Sequence, residues 1–196
     1  ATPSPWSRAS PRSSEPAHTP DTVRLLLPPS RTTRDGAAAS LFQEPPRHAP
    51  LAHYTGTLFK ALAVDELTPA QLDWAATHLI VHSSDRGLVH VDRWEPAPQL
   101  ADLIADGVVV VDLRSGEFVR KTKLPAGGWS VRVVSEGDDG RRLAVSHWNK
   151  LHKGVLIGAL IRSMPTLDSV DDLLTWTDQA GFRFEQVGDR QLEFVV

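Results

Sequence analysis

The amino-acid sequence predicts an α/β fold, with a mixed sheet that contains antiparallel hairpins and with helices packed around it. Short apolar runs of strand length alternate along the chain with segments that carry helix caps and helical periodicity, a pattern typical of α/β proteins. In addition, the segment "GDDG" at residues 137–140 lies between two strand-like runs. Gly and Asp supply the positive-φ positions of a tight turn, so this segment indicates an antiparallel hairpin.

The chain is predicted to consist of an irregular tail and one domain. Residues 1–21 are rich in Pro, Ser and Ala and have no apolar periodicity. Such a segment cannot offset the entropy of ordering by burial, so a disordered tail is expected. Residues 22–196 are expected to form a single compact α/β domain, because a chain of 196 residues with 41% hydrophobic content can bury a substantial core.

The first half of the domain is predicted to contain two strands and two helices. Val23–Leu27 is an apolar run followed by two prolines, which predicts a buried strand that ends there. Residues 54–62 are expected to form a short helix. A longer helix is predicted after Thr68, because Thr68 and Gln71 have the spacing of a capping box. The run at 79–84 then predicts a core strand.

The second half is predicted to add three helices and the remaining strands. One helix ends at Gly107 and leads into the apolar strand 108–112, and another spans about residues 148–163. Ser169 is expected to cap a further helix, and residues 182–196 to form a closing hairpin. The apolar side of the 148–163 helix, expected to face the core, carries Leu151, Val155, Leu156, Ala159 and Leu160.

Composition excludes several kinds of site. The chain has no cysteine, which rules out disulfides, zinc–thiolate sites and thiol nucleophiles. Glycine-rich phosphate loops, dinucleotide signatures, a nucleophile-elbow serine and the helical His-Glu metal motif are missing, so neither a cofactor nor a metal is predicted. The sequence predicts no membrane insertion and no export signal, and the expected compartment is the cytoplasm.

Charge is distributed unevenly. The net charge is −3, yet residues 114–153 contain nine Lys/Arg against four Asp/Glu. This asymmetry predicts a local positive surface that could attract phosphates or carboxylates. The alternative is a pair of hairpins with solvated basic edges.

A series of segments spans about residue 23 to the end of the sequence. They are "LLLPPSRTTRDG", "YTGTLFKAL", "HLIVHSS" with "GLV", "VVVVDLRSGEF", "VRVVSEGDDGRR", "VSHWNKLHKG" and "DLLTWTDQAGFRFE" with "LEFVV". In this order the segments resemble the YaaA-like peroxide-stress family, and in particular its actinobacterial branch.

The resemblance implies a compact cytoplasmic α/β protein that is associated with survival of peroxide stress, in a family that includes a DNA-binding member. It brings no settled reaction. The chain is a shortened relative, because it passes from Gly36 to Tyr54 without the long helical segment of the family. It also carries Ser84, Asp85 and Arg86 where the family has small and aromatic residues.

The helix entrance at "VSHWNKLHKG" is the predicted catalytic region. His147, Lys150 and Gly154 fall on one helix face, next to free backbone amides that favour an anion. A partly desolvated Lys150 would have a lowered pKa and serve as a base or amine nucleophile. Lys150 matches the recurring lysine of the family, and Asn149, Lys153 and Gly154 match its actinobacterial pattern. The alternative is a solvated helix start.

Further anion-binding residues are predicted where strands end. Arg114 follows the strand 108–112 and could bind a carboxylate or phosphate in bidentate fashion, or form an internal ion pair with Asp112. The rim is expected to include residues that match the family, namely Ser30, Arg31, Thr32, Tyr54 and Thr55. Tyr54 could equally be a buried aromatic residue.

Three histidines, His78, His82 and His90, lie close together in the sequence and could in principle hold a metal. We do not favour a metal site, because no carboxylate has a supporting spacing and strand histidines commonly satisfy a core hydrogen bond.

Two functions follow from these observations, and both require an anionic partner and no membrane. The first is the one that the resemblance implies, a stress-associated protein that contacts nucleic acid through the basic surface. The second is a small-molecule enzyme of a biosynthetic pathway. In it Lys150 and His147 perform acid–base or amine chemistry, while Arg114 and Arg31 hold an anionic substrate group.

Overall fold

The described residues form one eight-stranded sheet. The structure is a computed structural model that describes residues 22–28, 48–83, 86–114, 119, 123–146 and 148–196. The strands are β1 (Val23–Leu27), β2 (Leu79–Ser83), β3 (Gly87–His90), β4 (Val109–Asp112), β5 (Trp129–Glu136), β6 (Arg142–Ala144), β7 (Arg183–Gly188) and β8 (Gln191–Val195). Their order is β3-β2-β1-β4-β5-β8-β7, and β6 pairs with β5.

The centre of the sheet is parallel and its margins are antiparallel. Strand β1 pairs in parallel with β2 and β4, and β5 pairs in parallel with β4 and β8. The pairs β2–β3, β5–β6 and β7–β8 are antiparallel. The predicted mixed sheet is therefore confirmed. The carboxyl-terminal ends of parallel strands lie along the same side of a sheet. Leu27, Ser83 and Asp112 are the last residues of the parallel strands β1, β2 and β4, and we call the side of the sheet where they lie the carboxyl edge.

The α-helices are α1 (Pro50–His53), α2 (Thr57–Leu62), α3 (Pro69–His78), α4 (Leu100–Ala105), α5 (Asn149–Ser163) and α6 (Val170–Gln179). Helices α3, α5 and α6 begin within one residue of their predicted starts, whereas α1 was not predicted. Reciprocal capping boxes start α3 and α6, through Thr68 with Gln71 and Ser169 with Asp172. In the part of the chain that the structure describes, no helix has the length and apolar character needed to cross a bilayer.

Two apolar cores lie on opposite faces of the sheet, because successive strand side chains alternate. Leu25 and Leu27 of β1 belong to the larger core, which α2, α3 and α5 cover, whereas Leu26 packs into the smaller core with Leu103 of α4. The same alternation places Ser83 on the face of the larger core. His82 and Asp112 lie on the face of the smaller core.

The predicted core face of α5 was wrong in part. Leu156 and Leu160 are buried as expected, but Val155 is exposed. The buried face instead includes both glycines of the helix, Gly154 and Gly158, because α5 lies against α2 there and leaves little room for side chains.

Candidate functional site

Lys153 is a buried cation at the carboxyl edge. It lies on the second turn of α5, its residue is 2% exposed, and it is among the largest fully buried side chains of the described residues. Its Nζ donates to the carbonyl oxygen of Leu113 at 2.9 Å and to that of Arg114 at 3.4 Å. These two carbonyls directly follow strand β4, so the side chain of Lys153 connects helix α5 to the end of a central strand.

Burial changes the acidity of this ammonium group. Loss of hydration lowers the pKa of Lys153 from 10.5 to about 8, and the nearby negative charge of Asp112 opposes this shift. A lysine with a pKa of about 8 carries a substantial neutral fraction near physiological pH. The amine therefore has the protonation behaviour that general-base or nucleophilic chemistry requires.

The desolvated amine predicted at Lys150 was assigned to the wrong lysine. Lys150 is exposed, whereas Lys153, one turn later, is buried. Lys150 occupies the first turn of α5, before the part of the helix that packs on α2 at Gly154 and Gly158. Its catalytic role stays a prediction, as does the role of Asn149, which is partly buried.

The lowered pKa of Lys153 predicts a measurable link between pH and stability. Because the folded pKa lies below the unfolded value, the folded state disfavours the ammonium form, and stability rises as pH increases from about 8 to 10.5. Between pH 7.5 and 10 we expect wild type to gain about 2 kcal/mol relative to Lys153→Met. Urea unfolding of both proteins at the two pH values measures this difference. A pH-independent difference would contradict it.

Arg114 forms an internal ion pair, the second of the two alternatives that the sequence left open. Its Nε lies 2.9 Å from Oδ1 of Asp112 and its Nη2 lies 2.8 Å from Oδ2, a bidentate arrangement. Its backbone N–H also donates to Asp112 Oδ1 at 2.8 Å. Both side chains are buried, at 0% and 2% exposure. Because the carboxylate of Asp112 binds two nitrogens of the guanidinium, it neutralises most of the positive charge that Arg114 would present to an anion.

The third nitrogen of the same guanidinium contacts a histidine. Arg114 Nη1 lies 3.2 Å from Nδ1 of His82, which is partly buried on strand β2. Burial lowers the pKa of His82, the charge of Arg114 lowers it further, and Asp112 opposes both effects. A basic side chain, an acidic one and an imidazole thus meet on the smaller-core face of the carboxyl edge.

A pair of hydroxyl groups lies on the other face. Tyr54 Oη and Ser83 Oγ are 3.0 Å apart, and both residues are buried at the end of β2. Tyr54 packs among the rings of His53, Phe59 and Trp94. It is therefore a buried aromatic residue with its hydroxyl bonded, and the neighbouring Thr55 is partly buried.

The remaining predicted residues have other positions. Ser30, Arg31, Thr32 and His147 lie outside the described residues. Gly154 faces the backbone of Leu58 in α2, so the absence of a side chain at Gly154 allows the two helices to pack closely.

His78, at the end of α3, stacks on Trp74 with ring centroids 4.1 Å apart. His82 and His90 lie on the adjacent strands β2 and β3. Within the described ranges, no group of three His, Asp or Glu side chains is placed to hold a metal ion.

Sequence reasoning missed the roles of two residues at the carboxyl edge. Ser83 was not singled out, and His82 was considered only as a metal ligand. The alternation of side chains along β2 indicates the positions of both residues. The apolar residues Leu79 and Val81 belong to the larger core, so Ser83 lies on that face of the sheet and His82 lies on the opposite face. Asp112 was considered as a polar residue at the end of its strand and as a partner of Arg114.

Comparison with known proteins places the chain in a family. It is 32% identical to a UPF0246 protein of Corynebacterium efficiens over 170 aligned residues, which cover 75% of this chain and 69% of that relative. The chain belongs to the UPF0246 family. This family is the YaaA family, so the resemblance to its actinobacterial branch is confirmed. A UPF0246 protein of Corynebacterium glutamicum is 34% identical over 94 residues, covering 48% of this chain and 38% of that relative. No family model matches this UPF0246 chain.

Proposed function

We propose that this UPF0246 protein is an enzyme that acts on a small molecule at the carboxyl edge, with Lys153 as its reactive amine. The observation that carries the proposal is the buried Lys153 ammonium group, whose pKa is lowered to about 8. Strongly perturbed pKa values cluster at functional sites, because catalysis requires groups that change protonation near the working pH.

The position of Lys153 supports the proposal independently of its acidity. In open α/β sheets, ligands bind outside the carboxyl ends of parallel strands. Lys153 Nζ contacts the backbone directly after β4, and Ser83 and His82 lie at the corresponding end of β2. Titratable and hydroxyl-bearing side chains from separate parts of the chain thus lie along the carboxyl edge, on its two faces.

This arrangement suits proton transfer or attack on a carbonyl carbon. A neutral Lys153 amine can remove a proton or form a carbinolamine and then an imine with an aldehyde or ketone, releasing water. Carbonyl-bearing small metabolites are therefore the substrate class that we propose. Because Asp112 already neutralises Arg114, the proposal does not assign Arg114 to an anionic substrate group.

Competitive amine labelling tests whether Lys153 is reactive in the folded protein. Intact protein is treated with trace isotopic acetic anhydride from pH 6.5 to 10.5, and modification at each lysine is quantified by tandem mass spectrometry. We expect Lys153 to react with a midpoint near its pKa of about 8. The exposed Lys150, three residues away, serves as the internal control.

Two outcomes would overturn the proposal. Lys153 could remain unmodified until the protein unfolds while Lys150 reacts, which would make it a structural lysine that only caps the end of β4. Alternatively, the labelling midpoint of Lys153 could lie at the ordinary lysine value of 10.5, which would remove the perturbed amine on which the proposal rests.

The basic segment 114–153 gives less support to a nucleic-acid interface than its composition suggested. Arg132, Arg141 and Arg142 each pair with a carboxylate, and Arg114 and Lys153 are buried. Nucleic-acid affinity depends on cations that can neutralise phosphates. Pairing and burial lower the number of such cations in this segment, while Arg132 and Arg141 remain 60% and 86% exposed. The peroxide-stress role, the nucleic-acid partner and the cytoplasmic location that the resemblance implies stay predictions.

A further inference from the structure

The side chains of Asp112, Arg114 and His82 form a continuous chain of contacts on the smaller-core face of the carboxyl edge. The carboxylate holds the guanidinium through two of its nitrogens, at 2.9 Å and 2.8 Å. The third nitrogen, Nη1, lies 3.2 Å from Nδ1 of the imidazole. Both members of the ion pair are fully or almost fully buried. The ion pair therefore fixes the position of the guanidinium that contacts His82.

The direction of the hydrogen bond between Arg114 and His82 follows from chemistry. A guanidinium has only N–H donors and stays protonated in proteins, so it cannot accept a hydrogen bond. Nη1 must donate and Nδ1 of His82 must accept. A nitrogen that accepts in the ring plane carries no proton, so a neutral His82 has its proton on Nε2.

We propose that Asp112 and Arg114 are positioning residues that hold His82 as a neutral imidazole with its proton on Nε2. In this state His82 is a hydrogen-bond donor at Nε2 and not a base at Nδ1. The inference rests on the proposed function for its catalytic meaning, whereas the tautomer itself follows from the contacts alone.

The surrounding charges favour the same state. The charges of Arg114 and Asp112 both act on the pKa of His82. An imidazolium would place a second positive charge against the guanidinium and would lose the acceptor at Nδ1. Partial burial of His82 also disfavours the charged ring, in agreement with its lowered pKa. Asp112 acts in the opposite direction, but its carboxylate is already engaged by Arg114.

Nitrogen NMR tests the tautomer directly. Long-range 1H–15N correlation spectra of uniformly 15N-labelled full-length protein are recorded from pH 5 to 8.5, and His82→Gln assigns the ring. We expect an unprotonated, pyridine-type Nδ1 and a protonated, pyrrole-type Nε2, with a titration midpoint below the ordinary value of 6.5. A protonated Nδ1 in the neutral ring, or a midpoint at or above 6.5, overturns the proposal.

A neutral double variant provides the matched control. Asp112→Asn with Arg114→Gln removes both charges together and leaves a polar amide at each position, so neither partner leaves a buried charge unpaired. We expect His82 in this variant to populate both tautomers and to titrate closer to 6.5 than in wild type. An unchanged tautomer and midpoint would show that other contacts hold the ring, and would overturn the assignment of Asp112 and Arg114. If the variant does not fold, the wild-type spectra still decide the tautomer.

The failure of this inference can be distinguished from the failure of the proposed function. The NMR readout does not depend on Lys153. An unreactive Lys153 together with the predicted His82 spectrum would reject the enzyme and keep the fixed imidazole. A reactive Lys153 together with a protonated His82 Nδ1 would keep the enzyme and reject the fixed imidazole.

Discussion

Replacing Asp112 with alanine is expected to lower the free energy of unfolding by about 3–5 kcal/mol, because it leaves one member of a buried ion pair without its partner. The guanidinium of Arg114 is fully buried and makes its bidentate contact with this carboxylate. Removal of Asp112 also takes away the negative charge that partly offsets the desolvation of Lys153. Both consequences act in the same direction, so the effect should reach the upper part of the range for single substitutions.

The matched control is the double variant Asp112→Val with Arg114→Met. Replacing both charges by apolar side chains of similar summed volume avoids an unpaired charge, so this variant should lose much less stability than Asp112→Ala alone. Urea unfolding followed by tryptophan fluorescence and circular dichroism measures all three proteins. A loss below about 1 kcal/mol for Asp112→Ala would show that water or other groups readily replace the carboxylate.

Much of the fold could be predicted because its signals are local. The capping boxes at Thr68 and Ser169 depend on residues three positions apart, and the structure shows both reciprocal bonds in each. Gly140 adopts a φ of +73° in the "GDDG" turn, as the turn chemistry requires. Pairing between distant strands carries no such local signal, and the parallel pairing of β8 with β5 was not predicted.

The identity of the buried lysine could not be derived from periodicity. Lys150 and Lys153 lie three residues apart, so both fall on the same side of a helix. The close approach of α2 at Gly154 distinguishes them, because Lys153 lies beside this contact and Lys150 precedes it. A hydrophobic pattern assigns no weight to glycine, although a glycine can mark the closest approach of two helices. Pattern analysis therefore selected Val155 for the core, and Val155 is exposed.

The role of Arg114 was ambiguous for a different reason. A spacing of two residues between Asp112 and Arg114 allows either an internal ion pair or two side chains that both face a ligand. Only the geometry distinguishes them, and it shows a buried bidentate pair. The same geometry gives His82 a role that its sequence spacing to His78 and His90 concealed, because its partner is a residue 32 positions away.

Gly154→Ala is expected to destabilise the protein by about 3 kcal/mol, at the upper end for added volume in a packed core. A Cβ at this position would collide with the backbone carbonyl of Leu58 and would lie 2.8 Å from Cβ of Ala61. Backbone atoms of α2 cannot rotate away, so the two helices must separate. The better helix propensity of alanine returns only about 1 kcal/mol. Thermal and urea unfolding measure the net loss.

Gly158→Ala is the control on the same helix, one turn later. The Cβ added there would lie 2.7 Å from Nη1 of Arg162, the end of a flexible side chain, and 3.5 Å from the backbone of Leu62, an ordinary contact distance. Its cost should stay within about 1 kcal/mol, because the gain in helix propensity offsets the displacement of Arg162. Equal losses for the two variants would mean that α2 and α5 do not meet most closely at Gly154. The burial of Lys153, in contrast to the exposure of Lys150, would then need a cause other than the close approach of these two helices.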